Sequence, residues 1–341
     1  MGTPSSVTVR RRTTLLGAAA IAAGLLLAAC GDAGGHRATA RGAGAGVAAE
    51  PTGVAATQVG TTAPPWLTRA LADGVDTRAV PANLTPSTAR ARYSLPRTYA
   101  APRCHLDVPT VRNGTCRYGD PAGKRTVVLF GDSHAAQWFP AVERVAKHRH
   151  WRLVNLTKSS CPAALVSVSL SSPPRPYREC DRWRSAGFDR IEALRPQLVI
   201  MASARTAGSR TTAAADRNWY AGTASSVRNL HRSGAQVLVL TDTPHLGSDP
   251  AACLARNRTD ARRCVQARAA TVSSPQQVPG ERDAAIGAGA TVLDPTDWFC
   301  TARCPVVVGR IQVYRDAHHM TTVYANWLGR ALDPRLAALV R

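Results

Sequence analysis

Lysine is close to absent from this chain. Only Lys124, Lys147 and Lys158 stand among 43 basic residues, and the arginines that supply the rest are scattered, not bunched. The scarcity matters because the formal net charge is +21, a value that alone would point to nucleic acid. Without a basic cluster there is no stripe for a phosphate backbone to follow, so nucleic acid is not an expected partner. Arginine and alanine enrichment on this scale reads as the coding bias of a GC-rich genome. A diffuse positive surface is left free to face anionic envelope polymers or lipid headgroups. No C-x-x-C occurs among the nine cysteines, which removes the usual zinc-ligand spacing. There is no internal repeat. Past the N-terminal stretch, no apolar run approaches the roughly 20 residues of a membrane span.

The N-terminal stretch itself reads as an export signal. Arg10, Arg11 and Arg12 form a basic region, an Ala/Leu-rich apolar segment runs from Leu15 to Leu27, and Leu27-Ala28-Ala29-Cys30-Gly31 follows. That ending looks like a bacterial lipobox, so a lipoprotein signal peptide is expected over 1–29, with Cys30 lipidated after cleavage. The paired arginines leave Sec and twin-arginine export both open. Residues 30–63, rich in Gly, Ala and Thr, read as a flexible tether that would hold a domain about 30 Å from the membrane. The expected location is extracytoplasmic, attached to the bacterial membrane through the lipid anchor only.

Eight further cysteines fall as four close couples, consistent with an oxidising compartment. Eight cysteines allow 105 connectivities. Nearest-neighbour pairing is the expectation because each couple brackets a loop-like stretch: Cys104–Cys116, Cys161–Cys180, Cys253–Cys264 and Cys300–Cys304.

A preface over 64–124, with helical character at 66–73, is expected to pack on a main domain over 125–341. In that domain apolar runs of strand length at 126–131, 152–157, 197–202, 235–240 and 290–294 alternate with helical patterns. The helical patterns cover 135–148, 180–194, 216–232 and 261–287, the last interrupted by Pro275 and Pro279. A closing helix covers 322–340. This alternation predicts an α/β fold, a three-layer α/β/α sandwich around a mostly parallel sheet of about five strands. Ligands in such sheets bind beyond the carboxyl ends of the strands.

The first of these strands ends in Gly131-Asp132-Ser133-His134, directly before a helix-like pattern. Two readings fit Ser133: part of a helix N-cap, or a nucleophile presented at a sharp strand-to-helix turn. A D-x-x-H spacing near the far end, Asp316 to His319, tips the balance, because a carboxylate can orient an imidazole that accepts the serine proton. His318 competes with His319, and the spacing selects His319. Trp138 reads as core packing.

The Gly131-Asp132-Ser133-His134-Ala135 motif with Trp138, the Leu156–Pro162 segment, the Cys300/Cys304 couple and Tyr314 through Thr321 together resemble the SGNH (GDSL-like) hydrolase superfamily. They are most similar to the SGNH domain fused to acyltransferase-3 membrane proteins that O-acylate surface polysaccharides. The likeness covers roughly 100–341. It implies an SGNH/flavodoxin-like fold, Ser133 as nucleophile, His319 as base, Asp316 as its partner, and no metal or organic cofactor.

The implied activity is that of a serine O-acyl esterase or O-acyltransferase on acyl, chiefly acetyl, esters of an envelope polysaccharide or peptidoglycan-type glycan. A separate membrane acyltransferase is a possible partner and donor. The first half-reaction is common to hydrolysis and transfer, so the two stay open. In two respects the chain departs from the superfamily, whose second block supplies a Gly amide to the oxyanion hole. Its third block supplies an oxyanion-binding Asn, whereas Met201-Ala202-Ser203-Ala204-Arg205 contains none. Candidate oxyanion or substrate contacts are therefore the Ser133 backbone amide, Ser160, Cys161, Ser203 and Arg205. The ordinary place for Arg205, and for Lys158, is the solvent-exposed surface. The missing Asn leaves an alternative in view, a non-catalytic glycan-binding lipoprotein that retains the fold.

Overall fold

The strand Thr126–Gly131 has no exposed residue. Val127 and Leu129 point into one hydrophobic cluster, Val128 and Phe130 into another. A strand buried on both faces must lie inside a covered sheet. The same alternation divides Leu198 and Ile200 from Val199 and Met201, and Leu238 and Leu240 from Val237 and Val239. The sheet thus separates two cores, the middle layer of three.

The computed structural model describes residues 61–205, 212–271 and 277–340. The expected signal peptide, Cys30, the tether up to residue 60, and Pro275 lie outside them. Seven described strands form the sheet: β1 (His105–Leu106), β2 (Arg117–Gly119), β3 (Thr126–Gly131), β4 (Arg152–Lys158), β5 (Leu198–Ala202), β6 (Gln236–Leu240) and β7 (Thr291–Leu293). The five longer-range parallel partners run β4-β3-β5-β6-β7. In sequence rank this is the flavodoxin-like order 2-1-3-4-5, whose topological switch point lies between β3 and β5. The outer edge of β4 is covered in two pieces, antiparallel by β2 and parallel by β1. The preface therefore supplies two strands of the sheet itself.

On one face lie α1 (Pro65–Val75), α2 (Ser133–Ala136) and α3 (Phe139–His148), with α7 (Thr322–Leu339) beside α3. Leu67, Leu71, Trp138, Phe139, Val145, Leu328 and Leu332 fill that core. The other face carries α4 (Arg178–Leu194), α5 (Ala213–His231) and α6 (Gln277–Gly287), with Trp183, Ile191, Trp219 and Leu230 inward. Phe130 stacks on Trp183 with centroids 4.9 Å apart. Gly187 lets α4 come that close, since a Cβ there would lie 2.8 Å from the Phe130 ring.

Two helical patterns differ from the sequence reading. The one over 135–148 breaks at Gln137-Trp138, between α2 and α3. The long pattern over 261–287 is replaced by the 3₁₀ turn Ala261–Cys264, the short helix Arg268–Thr271 and α6. Pro279 does not interrupt α6: it sits in the first turn, where a missing N–H costs nothing. Among the described residues no helix is long and apolar enough to cross a membrane.

Disulfides join Cys104 to Cys116, Cys161 to Cys180, Cys253 to Cys264 and Cys300 to Cys304. The first closes the loop between the edge strands β1 and β2, and the second ties the end of β4 to the first turn of α4. Four such bonds mark a domain matured in an oxidising, extracytoplasmic setting.

Lys158 is not a surface residue. It is fully buried at the end of β4, and its ammonium donates to the carbonyls of Asp107, Val108 and Thr110 at 2.5–2.7 Å. One cation thereby fastens the loop after β1, whose carbonyls have no ladder partner. Lys158→Met would leave those acceptors unpaired. It is expected to lower the unfolding free energy by about 3 kcal/mol in a urea titration. A loss under about 0.5 kcal/mol would mean the loop is held by other means.

Candidate active site

β3 ends at Gly131, which has a positive φ of 148°. A Cβ there would lie 1.9 Å from the Ala202 carbonyl oxygen of the neighbouring β5. Glycine is required there by the positive φ and by the closeness of the Ala202 carbonyl across the switch point. The chain then turns at once into α2, with Asp132 as N-cap and Ser133 as first residue.

Asp132 is buried, and its carboxylate serves both strand ends. Oδ1 accepts the His134 amide at 2.8 Å, and Oδ2 accepts the Ala204 amide at 2.9 Å. Burial raises its pKa above the usual carboxylate value, opposed by the nearby His134 and the two amide bonds.

The distal motif forms a tight turn, bridged from Tyr314 to Met320. Asp316 Oδ1 accepts the backbone amides of His318 and His319 at 3.0 and 2.8 Å. Its carboxylate also meets His319 Nδ1 at 2.9 Å. His319 Nε2 lies 2.9 Å from Ser133 Oγ. Asp316, His319 and Ser133 thus form one hydrogen-bonded line, and the Asp316 bond fixes the tautomer that leaves Nε2 facing the serine. Gln137, one helical turn past Ser133, clamps this turn in place. Its Oε1 accepts the Met320 amide at 2.8 Å while its Nε2 donates to Thr243 Oγ1 at 3.2 Å.

Burial pushes the His319 pKa down to about 3, helped by the positive charges of His134 and Arg315 and opposed by the Asp316 bond. The imidazole is therefore neutral and able to accept a proton. Burial would raise the Asp316 pKa, but the His319 bond, the amides and Arg315 outweigh it and hold the carboxyl well below its usual range.

Next to this line lies a second carboxylate–imidazole group that sequence reasoning missed. Asp242 lies two residues past the end of β6. It accepts from His134 Nδ1, from His245 Nε2 at 2.8 Å, from the Arg205 amide at 3.0 Å and from the Thr243 amide at 2.8 Å. Burial disfavours charge on both partners. Even so, the pair holds the Asp242 pKa far below and the His134 pKa above its ordinary value. His134 Nε2 meets His318 Nδ1 at 2.9 Å. The available signal was position: Asp242 occupies the same place after β6 that Ser133 occupies after β3, so both project from the carboxyl edge.

The remaining candidates separate. Ser203 uses its hydroxyl to accept the Ala163 amide at 2.8 Å. Arg205 is buried, not solvent-exposed: its guanidinium pairs with Asp216 and packs over Trp219 and Tyr220, because α5 covers that loop. The amides of Ala204 and Arg205 are already bonded to Asp132 and Asp242, so this loop does not offer them to a substrate. Cys161 is buried in its disulfide, with its amide bonded to the Lys158 carbonyl. Ser160 is exposed at the end of β4, with a left-handed φ of 55°.

Asp132→Ala would leave two amides without acceptors, one buried and one half-buried. It is expected to lower the unfolding free energy by about 3 kcal/mol by chemical denaturation. An unchanged midpoint would show that the turn does not depend on this carboxylate.

A family model described as an SGNH domain fused to AT3 domains matches residues 103–334. Among solved structures the chain is similar to the periplasmic domain of the lipopolysaccharide acetyltransferase of Salmonella ser. Paratyphi A. That likeness has a TM-score of 0.57 and 12% identity, over 74% of this chain and 97% of that one. At this identity it speaks for the fold alone. A likeness to TesA, with a TM-score of 0.36 and 17% identity over 63% of this chain and 99% of that one, carries no weight. No curated protein sequence matches.

Proposed function

We propose that this chain, which belongs to the family of SGNH domains that occur fused to AT3 domains, is an extracytoplasmic serine O-acyl esterase or O-acyltransferase. Its substrates are acyl, chiefly acetyl, esters of cell-envelope glycans. The observation that supports the reading is the unbroken line from Ser133 Oγ through His319 to Asp316, with both contacts at 2.9 Å. The lipopolysaccharide acetyltransferase among the similar folds is in keeping with a glycan substrate.

In this reading Ser133 Oγ attacks the acyl carbonyl carbon while His319 Nε2 takes the hydroxyl proton. Asp316 stabilises the imidazolium. The tetrahedral intermediate collapses by breaking the bond to the leaving sugar oxygen, which receives the proton from His319, and the acyl group stays on Ser133. Water or a second sugar hydroxyl then attacks the acyl-serine by the same steps in reverse. The first route makes an esterase, the second a transferase.

Two backbone amides are the candidates for the oxyanion. The Ser133 amide is one, since Asp132 caps His134 and not Ser133. The other is Ser160, flanked by the Ser159 and Cys161 amides that are bonded to Leu106 and Lys158. These amides would take the place of the Asn that the chain lacks. A lipid-anchored domain would draw acyl groups from a separate membrane acyltransferase or act as an esterase alone. The missing Asn also favours a second reading, a non-catalytic glycan-binding lipoprotein.

A fluorophosphonate probe tests the assignment. Wild-type protein is expected to label and Ser133→Ala to lose the label entirely. His319→Ala is expected to lower turnover of 4-nitrophenyl acetate by about 10²–10⁴-fold. Turnover unchanged in His319→Ala would overturn the proposed base. A folded, unlabelled wild type that retains glycan affinity would favour the binding module instead.

A further inference from the structure

Four imidazoles crowd the carboxyl edge of the sheet, more than one acyl-transfer line needs. His134 lies with its ring centroid 4.6 Å from that of His319, and His318 and His319 are 4.2 Å apart. Two sets of three side chains bring their donor atoms within 4.8 Å of one another: His134 with Asp242 and His245, and His134 with His318 and His319. The first set is closed. Asp242 already accepts from two imidazoles and two amides, so it organises its neighbours and has no open position.

The second set is built differently. His134 turns Nδ1 to Asp242, and His319 turns Nδ1 to Asp316. Each buried ring is therefore held by a carboxylate at its far nitrogen and aims Nε2 at the same small space. A carboxylate behind the distal nitrogen is the arrangement that orients metal-binding histidines and raises their basicity. His318 adds Nδ1 from the open side, 2.9 Å from His134 Nε2, with 43% of its side chain exposed. An ion would therefore have a way in from solvent.

We propose that His134, His318 and His319 form a three-histidine site for a divalent transition-metal ion of the zinc type, and that its occupancy withdraws His319 from Ser133. Three imidazole nitrogen donors, neutral once the proton between His134 and His318 is lost, suit zinc, cobalt, nickel or copper and not the oxygen-seeking magnesium or calcium. At metal–nitrogen distances near 2.0–2.1 Å, tetrahedral ligands sit about 3.3 Å apart, so the His134–His318 contact need open by only a few tenths of an ångström. Binding forms three metal–nitrogen bonds and releases to solvent the proton shared between His134 Nε2 and His318 Nδ1. It also breaks the Ser133 hydrogen bond, whose proton stays on the hydroxyl. A water completes the ion's fourth position. The ion acts as an off-switch, not a cofactor. The switch rests on the acyl-serine reading above, whereas binding rests on the three imidazoles alone.

Cobalt(II) separates the two. Metal-free full-length protein titrated with Co²⁺ is expected to develop the visible absorption bands of a tetrahedral nitrogen site at one equivalent. Zn²⁺ should bleach them, and Ca²⁺ or Mg²⁺ should not. His318→Ala is expected to weaken Co²⁺ binding at least about tenfold, with an unchanged circular dichroism spectrum. Ser133→Ala should bind like wild type. No one-equivalent band in wild type, or equal affinity in His318→Ala, overturns the site. One equivalent of Zn²⁺ is expected to block fluorophosphonate labelling and a chelator to restore it. Labelling that persists on zinc-loaded protein overturns the switch. Metal-free protein that never labels overturns the acyl-serine reading while the cobalt result still decides the site.

Discussion

The buried Asp132 carboxylate is the tie on which the site depends. Parallel strands leave their carboxyl ends free to splay, yet here one side chain bonds the amide of His134 after β3 and the amide of Ala204 after β5. That bridge spans the switch point, and Gly131 permits it by letting the Ala202 carbonyl approach where any Cβ would collide. Ser133 sits in the chain between Asp132 and the His134 amide that Asp132 holds. Its hydroxyl is presented because the backbone on either side of it has no other place to go.

From this tie the electrostatics divide into two carboxylate–imidazole pairs set close together. Asp242 and His134 are both buried, and each favours the charged form of the other. Asp316 and His319 are arranged alike, but His319 stays neutral because burial and the charges on His134 and Arg315 outweigh its carboxylate. Two similar pairs are thus shifted in opposite directions, His319 toward its neutral form and His134 toward its charged one. Crowding the imidazoles has a further consequence, since nitrogens that converge on one space can, once His134 gives up its Nε2 proton, converge on a metal.

Much of the surrounding scaffold is held by buried cations and local cross-links. Lys158 fastens the loop after β1 through three carbonyls, and the buried Arg205 guanidinium lies under α5. Disulfides close the edge loop at Cys104–Cys116 and pin α4 to β4 at Cys161–Cys180. The preface is integral to this scaffold, because its strands β1 and β2 cover the outer edge of β4. His105, in β1, stacks on Tyr99 and reaches Thr157 and Ser159 beside the Ser160 turn.

What the sequence by itself determined was whatever depends on near neighbours. Apolar runs placed the five long strands to within a residue or two, and close cysteine couples anticipated bonds between adjacent partners. The three-residue spacing of Asp316 and His319 set a carboxylate beside an imidazole within a single turn. Tertiary structure decided everything that depends on which distant loops meet. Asp242 and His134 are 108 residues apart, and His134 and His318 are 184 apart. No spacing rule links them, and only the strand order brings their loops to one edge. Burial was decided there too: Arg205 and Lys158 look like surface residues in isolation and become interior ones because a helix or a loop closes over them. A charged side chain declares its type in the sequence, but its solvation, and so its role, is settled only by what packs against it.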